Sequence, residues 1–471
     1  MSKLLSNLPI ENLTPENDYI GIIEKGTLLK SFFLNNKDEF SQIKIFSIYG
    51  EWGSGKSTLM KYLEKELKGS FNTFFFESWE FESDANLANS LLEFLAKKSN
   101  TKADTFLANG SKLLEGFAKS VTFKAPFANF SAKEMLNHVD KQTFFELKEQ
   151  FSKDFIDWEN KNTTKGKAPK YNIVFIDDLD RCEPENVLNL LSAMKLFFTY
   201  GKKTIFLCGI DKKAVTEAVQ TKYRDIVKAN EYLEKVFDIS FSMPEDIDAI
   251  KLVNSYFDEN EKVNDKKLGD LINDFFEKLH FKNPRKIKKI LNKYLIIKNL
   301  KESDVSQSLK LPNIIHNDSG TLFETYLTLY LLILNEFEND IFESFLNVPF
   351  LRIKTEEAIK KYTEDKNKQQ YFDLDENLIN KKLNDFNFRE NQRRDYYSGL
   401  IAFFIPINVN TISDGVVSNI DYFNQDLNVY EKKYDYFFLK FLIINENEII
   451  KDLKKSSYSL LNYKKIIANL I

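Results

Sequence analysis

A cluster of glycines followed by a lysine and a serine is the part of this sequence best suited to chemistry. Gly50, Gly55, Lys56 and Ser57 occupy every fixed position of the pattern G-x-x-x-x-G-K-[ST]. Glycines allow several backbone N–H groups to converge on one polyphosphate, because they tolerate unusual φ angles and carry no side chain. Lys56 would add a positive charge at the β- and γ-phosphates, and Ser57 a hydroxyl ligand for Mg²⁺. The residues predicted to bind a nucleotide are Gly50, Trp52, Gly53, Ser54, Gly55, Lys56, Ser57 and Thr58.

Two adjacent carboxylates, Asp177 and Asp178, follow the apolar run Y-N-I-V-F-I that begins at Tyr171. They would lie at the carboxyl end of a buried strand, where open α/β sheets place their ligands. Asp177 fits the carboxylate that holds hydrated Mg²⁺, so Ser57 and Asp177 are the predicted metal ligands. Asp178 takes the next position, which suits an acid that polarises the attacking water. Lys56 and Asp178 are therefore predicted to be catalytic.

Two residues beside these carboxylates have alternative roles. Arg181 either pairs with Asp180 or acts on the nucleotide of a neighbouring subunit, and we favour the ion pair. Asp211 follows the apolar run Thr204–Ile210, so it would sense the γ-phosphate, cap the helix that begins at Lys212, or do both. We include Asp211 among the catalytic candidates.

Arg285 is a further catalytic candidate, in the first turn of a predicted helix. Asn283 and Pro284 would cap this helix, and Ile287, Ile290, Leu291 and Tyr294 would form its apolar face. Arg285 would reach the γ-phosphate if the helix is part of a lid over the nucleotide. The alternative is that Arg285 belongs to a basic, solvated face together with the neighbouring lysines.

The elements that must position these residues alternate between strands and helices. Apolar runs predict strands at Ile43–Tyr49, Phe71–Ser78, Ile173–Ile176 and Thr204–Ile210, and the alternating stretch Lys235–Met243 predicts a last strand. Helical patterns lie between them, as in Leu87–Leu95. This order predicts an α/β fold with a doubly wound, mainly parallel P-loop sheet.

Five regions follow from these patterns. They are the first part of the core (1–97), a helical insertion (98–168), the rest of the core (169–245), a helical lid (246–300) and a C-terminal, mostly α-helical domain of unknown role (301–471). The segment before the first strand is helix-like. Within it, Tyr19 and Ile20 would contact an adenine or simply pack against the core.

Composition restricts the partners and the compartment. The 471 residues carry a net charge of −4, so no global field attracts nucleic acid or acidic membranes, and nucleic-acid binding is left to local patches. We expect no membrane span and no signal peptide. Cys182 and Cys208 suit buried thiols in a reducing cytoplasm, and the three isolated histidines suggest no zinc site.

Six blocks in order resemble the KAP P-loop NTPases, a family allied to the STAND and AAA-like ATPases. The blocks are G-E-W-G-S-G-K-S-T-L (50–59), E-S-W-E-F (77–81), I-D-D-L-D-R-C (176–182), C-G-I-D (208–211), E-Y-L-E-K-V-F-D-I-S-F (231–241) and N-P-R-K-I-K-K-I-L-N (283–292). The resemblance implies an ATPase core in which Lys56, Ser57 and Asp177 bind Mg·ATP. It also implies that Asp178 supports hydrolysis and that Arg285 belongs to a helical lid.

Relatives in this family often carry membrane helices between the two nucleotide motifs, where this chain has Lys119, Lys124 and Lys133. Bacterial relatives are often linked to antiviral defence. We therefore expect a cytoplasmic Mg·ATP-dependent NTPase that acts as a switch or assembling motor subunit in phage defence, as a homo-oligomer or with a partner effector protein. The alternatives are a weakly hydrolysing, nucleotide-gated scaffold, a DNA-dependent repair or replication ATPase, and a small-molecule kinase.

Overall fold

The computed structural model describes residues 4–84, 86–99, 104–121, 141–163, 171–223, 226–244, 248–263, 265–279, 281–302, 322–337, 339, 412–413 and 416–417. The chain divides into two compact units. One unit is Leu8–Ile247, and the other combines Met1–Asn7 with Asp248–Ile471. The predicted C-terminal domain lies largely outside the described residues.

Five parallel strands form the sheet of the unit Leu8–Ile247, in the order β2-β3-β4-β1-β5. The strands are β1 (Ile45–Tyr49), β2 (Phe71–Glu77), β3 (Tyr171–Asp177), β4 (Thr204–Ile210) and β5 (Ile239–Ser242). In register, Ile45 pairs with Phe206 and Phe71 with Tyr171. All carboxyl ends therefore meet at one edge of the sheet, which brings the ends of β1, β3 and β4 close together.

Within the described residues of this unit, eight helices pack around the sheet. They are α1 (Ile22–Asn35), α2 (Lys56–Leu67), α3 (Leu87–Lys98), α4 (Asp104–Val121), α5 (Lys141–Thr163), α6 (Pro184–Ala193), α7 (Lys212–Tyr223) and α8 (Ile226–Val236). Phe46 and Ile48 share a buried cluster with α1 and α2. Val174 and Ile176 belong to a second cluster that contains residues of α3 to α8. Because strand side chains alternate between the two faces, the sheet is covered on both sides, and the predicted doubly wound α/β fold is confirmed.

The region predicted as a helical insertion contributes to the second of these clusters. Phe106 of α4 stacks on Trp158 of α5 with ring centroids 5.4 Å apart, and on Phe151 at 5.5 Å. Phe74 of β2 contacts the same Trp158 ring at 5.8 Å. Within the described ranges, no helix combines the length and the apolar character that crossing a bilayer requires.

The last strand is shorter than predicted. The alternation over Lys235–Met243 predicted one continuous strand, but α8 ends at Val236 and β5 begins only at Ile239. Tyr232, Leu233 and Val236 are buried at helical spacing in the second cluster, so packing of the helix overrides the local alternation.

The second unit contains a helical module with the predicted features. Its helices are α9 (Ile250–Asn254), α10 (Leu268–Lys278), α11 (Pro284–Glu302) and α12 (Leu322–Phe337), with a small hairpin of β6 (Lys262–Val263) and β7 (Lys266–Lys267). The Asn283 side chain accepts hydrogen bonds from the backbone N–H groups of Arg285 (3.1 Å) and Lys286 (3.2 Å), which confirms the predicted cap. The predicted apolar face of α11 is fully buried.

Candidate nucleotide-binding site

The predicted phosphate loop lies between β1, which ends at Tyr49, and α2, which begins at Lys56. Gly53 and Gly55 have φ angles of 87° and 98°, in the left-handed region that favours glycine. A side chain at position 50 would clash with its neighbours, because a Cβ at Gly50 would lie 2.5 Å from the Ser54 Oγ and 2.7 Å from the Met243 Cγ. Among the described residues, no side chain caps the N-terminus of α2, so its first amides can serve an anion.

The Lys56 side chain is buried and folded back on the loop. Its Nζ donates to the carbonyl oxygens of Gly50 (2.8 Å) and Glu51 (3.1 Å). Burial lowers the pKa of Lys56, and nearby negative charges oppose this shift. These charges belong to Asp180, Asp211, Asp177 and Asp178. A cation inside a ring of aspartates, held by two weak neutral acceptors, is well placed to move to a stronger anionic partner.

Asp177 lies at the carboxyl end of β3 and meets the phosphate loop. Burial raises its pKa to about 6, repulsion from Asp178 adds to this rise, and a hydrogen bond with the Ser57 side chain opposes it. The Ser57 side chain, the other predicted magnesium ligand, therefore lies close to Asp177. The Ser54 Oγ of the phosphate loop is also buried, without a hydrogen-bond partner within the described part of the chain. A buried, incompletely neutralised carboxylate beside a hydroxyl fits the oxygen ligands that Mg²⁺ requires.

Asp178 follows β3 in a left-handed conformation, with φ 56° and ψ 26°. Its backbone N–H is hydrogen-bonded to Asp177. Its Oδ1 accepts a hydrogen bond from the Arg181 Nε at 3.1 Å. We expected Arg181 to pair with Asp180, and this was wrong: the turn that begins at Asp178 brings the guanidinium back to Asp178 instead.

Asp211 connects the phosphate loop to the start of α7. Its Oδ2 accepts a hydrogen bond from the Trp52 N–H at 3.0 Å, and its Oδ1 accepts from the N–H groups of Lys213 (3.0 Å) and Ala214 (3.4 Å). The predicted helix cap is thus confirmed. The role as a sensor of the γ-phosphate stays a prediction, but the contact with Trp52 supplies the link between loop and helix that such a role needs.

The segment before β1 packs against the phosphate loop. A Cβ at Gly55 would lie 3.1 Å from the Cδ1 atoms of both Ile20 and Ile22. The Thr58 hydroxyl accepts a hydrogen bond from the backbone N–H of Ile10 at 3.2 Å. These contacts place Ile20 beside the loop, while its role as an adenine contact stays a prediction, as does that of Tyr19.

Arg285 belongs to the other compact unit, in the first turn of α11. Its guanidinium donates to the carbonyl oxygen of Asn7 at 3.2 Å, and the neighbouring Lys288 donates to that of Ser6, also at 3.2 Å. The N-terminal residues thus partly cover this basic turn. The lid role of Arg285 stays a prediction.

Sequence reasoning missed one neighbour of the site. The 3₁₀ turn Ser78–Phe81 follows β2, whose last residue, Glu77, pairs with Asp177 in the sheet. Trp79 in this turn lies under the Arg181 guanidinium, 5.0 Å from the ring centroid. The signal was available, because this segment follows a parallel strand and so must emerge at the same edge as Asp177.

Comparisons with known proteins identify the family of this chain. Residues 33–301, more than half of the chain, match the KAP family P-loop domain. The uncharacterized protein MJ0181 of Methanocaldococcus jannaschii is 37% identical over 111 residues, which are 22% of this chain and 44% of that protein. The chain therefore spans less than half the length of this relative.

One further relative and one solved structure are similar to this chain. The uncharacterized protein MJ0182 of the same archaeon is 30% identical over 170 residues, 28% of this chain and 88% of that protein. Among solved structures, the Aeropyrum pernix ORC2 protein (ADPNP-ADP complexes) has 11% identity and a TM-score of 0.33, covering 85% of this chain and 88% of that chain. The match over residues 33–301 shows that this chain belongs to the KAP family of P-loop NTPases.

Proposed function

We propose that this protein binds ATP with Mg²⁺ and hydrolyses it, and that the bound nucleotide switches the protein between two states. The observation that carries this proposal is that α2, which carries Ser57, meets the end of β3, which carries Asp177. A Cβ at Gly209 would lie 2.5 Å from the Met60 Sδ of α2 and 3.1 Å from the Asp177 Oδ1. These residues come from segments far apart in the sequence, and no packing requirement explains a buried acid with a raised pKa at this position. Strongly perturbed carboxylates in such places are typical of functional sites.

The roles of the chain's own groups follow from their positions. The loop amides and the N-terminus of α2 bind the phosphates, and Lys56 leaves the carbonyls of Gly50 and Glu51 to neutralise them. Ser57 and Asp177 would hold Mg²⁺, which neutralises charge that develops on the phosphates. The attacking water gives a proton to Asp178 as its oxygen bonds to the γ-phosphorus and the β–γ bridging oxygen leaves. The products are ADP and inorganic phosphate.

Asp211 provides the route from nucleotide to conformational change. It binds the Trp52 N–H with one oxygen and caps α7 with the other. A displacement of the loop at Trp52 therefore changes the hydrogen bonding at the start of α7. Nucleotide-dependent ordering of such elements is a common switching mechanism.

The matched pair Asp178→Asn and Glu185→Gln tests the enzymatic role. Each substitution removes one negative charge near the same edge of the sheet, but Glu185 is exposed on α6. We expect Asp178→Asn to lower phosphate release by about a hundredfold, because general base catalysis contributes about that much. Binding of a fluorescent ATP analogue should remain within a few-fold, and Glu185→Gln should behave like the parent.

The rival functions predict different results in the same assays. Negligible turnover in the parent with intact nucleotide binding would favour a nucleotide-gated scaffold. Turnover that rises with added DNA, with binding that weakens steeply with salt, would favour a DNA-dependent ATPase. Transfer of phosphate to a metabolite would favour a kinase.

The biological role is proposed on the family resemblance. We propose a cytoplasmic phage-defence protein that assembles with itself or with a partner effector. The two buried free cysteines, Cys182 and Cys208, suit a reducing compartment. Expression in a phage-sensitive bacterium should reduce plaque numbers, and Lys56→Ala should abolish the protection. Mass in solution with and without Mg·ATP would test the assembly, and equal masses would contradict it.

A further inference from the structure

The acid proposed to activate water is already engaged by a cation in this structure. The Asp178 Oδ1 accepts a charge-assisted hydrogen bond from the Arg181 Nε at 3.1 Å. Such a bond is roughly twice as strong as one between neutral groups. This bond holds the Oδ1 side of the carboxylate against Arg181, so the carboxylate must turn away from Arg181 before that oxygen can contact an attacking water. The geometry is therefore that of a restrained base.

A second contact holds the Arg181 guanidinium in this position. Its Cζ lies 5.0 Å from the centroid of the Trp79 ring, within the range of a cation–π interaction. Trp79 is 56% exposed, so it provides a platform that is accessible from solvent. The guanidinium is thus held between the carboxylate of one turn and the indole of another.

The backbone conformation around Asp178 brings Arg181 close to this carboxylate. Asp178 adopts the left-handed conformation, and Asp tolerates it better than most residues. The Arg181 N–H then donates to the Asp178 carbonyl oxygen at 3.2 Å, which closes a 3₁₀ turn. The closed turn brings the Arg181 side chain back to the carboxylate three residues earlier.

We propose that Arg181 is a positioning residue that restrains Asp178, and that Trp79 retains Arg181 in the restraining position. This inference rests on the proposed ATPase function. The two side chains of the ion pair are 30% and 25% exposed, and an ion pair of this kind is weak. A restraint of this strength is reversible, and its loss should change turnover by about tenfold.

Turnover at saturating Mg·ATP tests the restraint. Arg181→Gln should raise kcat by about tenfold, while KM stays within twofold, because the substitution does not touch the phosphate loop. Arg181→Lys keeps the charge but loses the planar group that stacks on the indole, so kcat should rise less. Trp79→Leu should also raise kcat, without altering the ion pair directly. A kcat that falls or stays unchanged in Arg181→Gln would overturn the restraint.

Tryptophan fluorescence gives a readout that does not depend on turnover. Of the three tryptophans, Trp158 is 2% exposed and Trp52 is 52% exposed. In a Trp52→Phe background, quenching by iodide therefore reports on Trp79, and the Arg181 charge attracts the anion. We expect a non-hydrolysable ATP analogue with Mg²⁺ to change this quenching, and the change to disappear in Trp52→Phe/Arg181→Gln. The same change in both variants would contradict the proposal.

The two proposals fail in different ways. Absence of turnover in both the parent and Arg181→Gln would contradict the ATPase function itself. Equal turnover in the parent and Arg181→Gln would contradict only the restraint. Measurable turnover in the parent that rises by about tenfold in Arg181→Gln would support both proposals.

Discussion

Charged residues are buried at both edges of the five-stranded sheet, but the protein satisfies them in opposite ways. At the amino edge, where the strands begin, the carboxylates of Glu159 and Asp238 each accept several hydrogen bonds. At the carboxyl edge, where the phosphate loop lies, Asp177 has a raised pKa and the Ser54 Oγ has no partner within the described residues. Charged residues at the amino edge therefore stabilise the fold, whereas those at the carboxyl edge are incompletely neutralised.

Glu159 is the centre of the amino edge. It is 2% exposed, and its carboxylate accepts from the N–H groups of Lys202 and Lys203, each at 2.8 Å, and from the Thr204 hydroxyl at 2.7 Å. A Cβ at Gly201 would lie 2.2 Å from the Glu159 Oε1. The glycine thus leaves room for a carboxylate of α5 that anchors the start of β4.

Asp238 completes this edge between β1 and β5. It accepts from the N–H groups of Lys44 (2.8 Å) and Ile45 (3.0 Å), and from the Lys195 Nζ (2.8 Å). Burial by itself raises the pKa of Asp238, but these hydrogen bonds outweigh burial and lower it. The contrast with Asp177, whose pKa burial raises to about 6, shows how incompletely the carboxyl edge is neutralised.

The largest effect expected from this comparison is on catalysis at the carboxyl edge. Lys56→Ala should reduce ATP hydrolysis by about a thousandfold, because a positioned charge on the phosphates is removed. The matched control is Lys65→Ala, an exposed lysine of the same helix, which should leave phosphate release unchanged. Near-normal turnover in Lys56→Ala would show that the phosphate loop is not the catalytic site.

Glu159→Gln should have the largest effect on stability at the amino edge. Loss of the charge weakens three hydrogen bonds in a buried site, and we expect the free energy of unfolding to fall by about 3 kcal/mol. Glu149→Gln on the exposed side of α5 is the control and should cause no measurable change. Urea unfolding followed by circular dichroism measures the free energy of unfolding of both variants. An equal effect of the two variants would mean that the amino-edge network is not needed for stability.

The pH dependence of stability should have opposite signs at the two edges. The folded chain binds a proton at Asp177 with a pKa of about 6, above the ordinary 3.8, so stability falls as pH rises from about 4 to 6. The loss is at most about 3 kcal/mol for two pKa units. Asp238, with a lowered pKa, stabilises at neutral pH, and this contribution is lost on acidification.

Measured without metal or nucleotide, Asp177→Asn should therefore be more stable than the parent above pH 6, and the difference should disappear near pH 4. Asp238→Asn should be less stable than the parent at neutral pH, and this difference should also shrink on acidification. Parallel curves for the parent and Asp177→Asn would contradict the assignment of a raised pKa to Asp177.

The smallest effect concerns the link between the loop and α7. Asp211→Asn keeps an acceptor for the helix cap but places an amide against the Trp52 N–H, so stability should fall by about 1 kcal/mol. Asp211→Ala also removes the helix cap, so its stability should fall by about 1 kcal/mol more. Thermal unfolding of both variants measures these two losses of stability. Equal losses of stability in Asp211→Asn and Asp211→Ala would mean that only the Trp52 contact contributes to stability.

Much of the site follows from local patterns. The glycines, Lys56 and Ser57 belong to one short segment, and Asp177 ends one strand, so spacing and strand-end rules were enough to predict that they meet at one edge of the sheet. The boundaries of β4 and the cap at Asn283 were also predicted, because each depends on a few adjacent residues. Local hydrogen bonding and side-chain alternation depend on short stretches of sequence, so these stretches are enough to predict them.

The remaining features required the assembled chain. The alternation after Lys235 favoured a strand, but burial of Val236 in the cluster around α8 selected a helix. Glu159 meets Thr204 only because α5 packs beside the start of β4. Neither contact has a local signal, since each joins residues that the chain order separates.

The sequence by itself determined which residues are predicted to bind a triphosphate, because the predicted phosphate loop is a single short segment with a restricted set of backbone angles. Only the tertiary structure decided that Arg181 turns back to Asp178 and lies on Trp79. That outcome depends on β2 and β3 being neighbours in the sheet, and strand order is set by the packing of the whole core. Chemistry that requires two turns to meet is therefore visible only after folding.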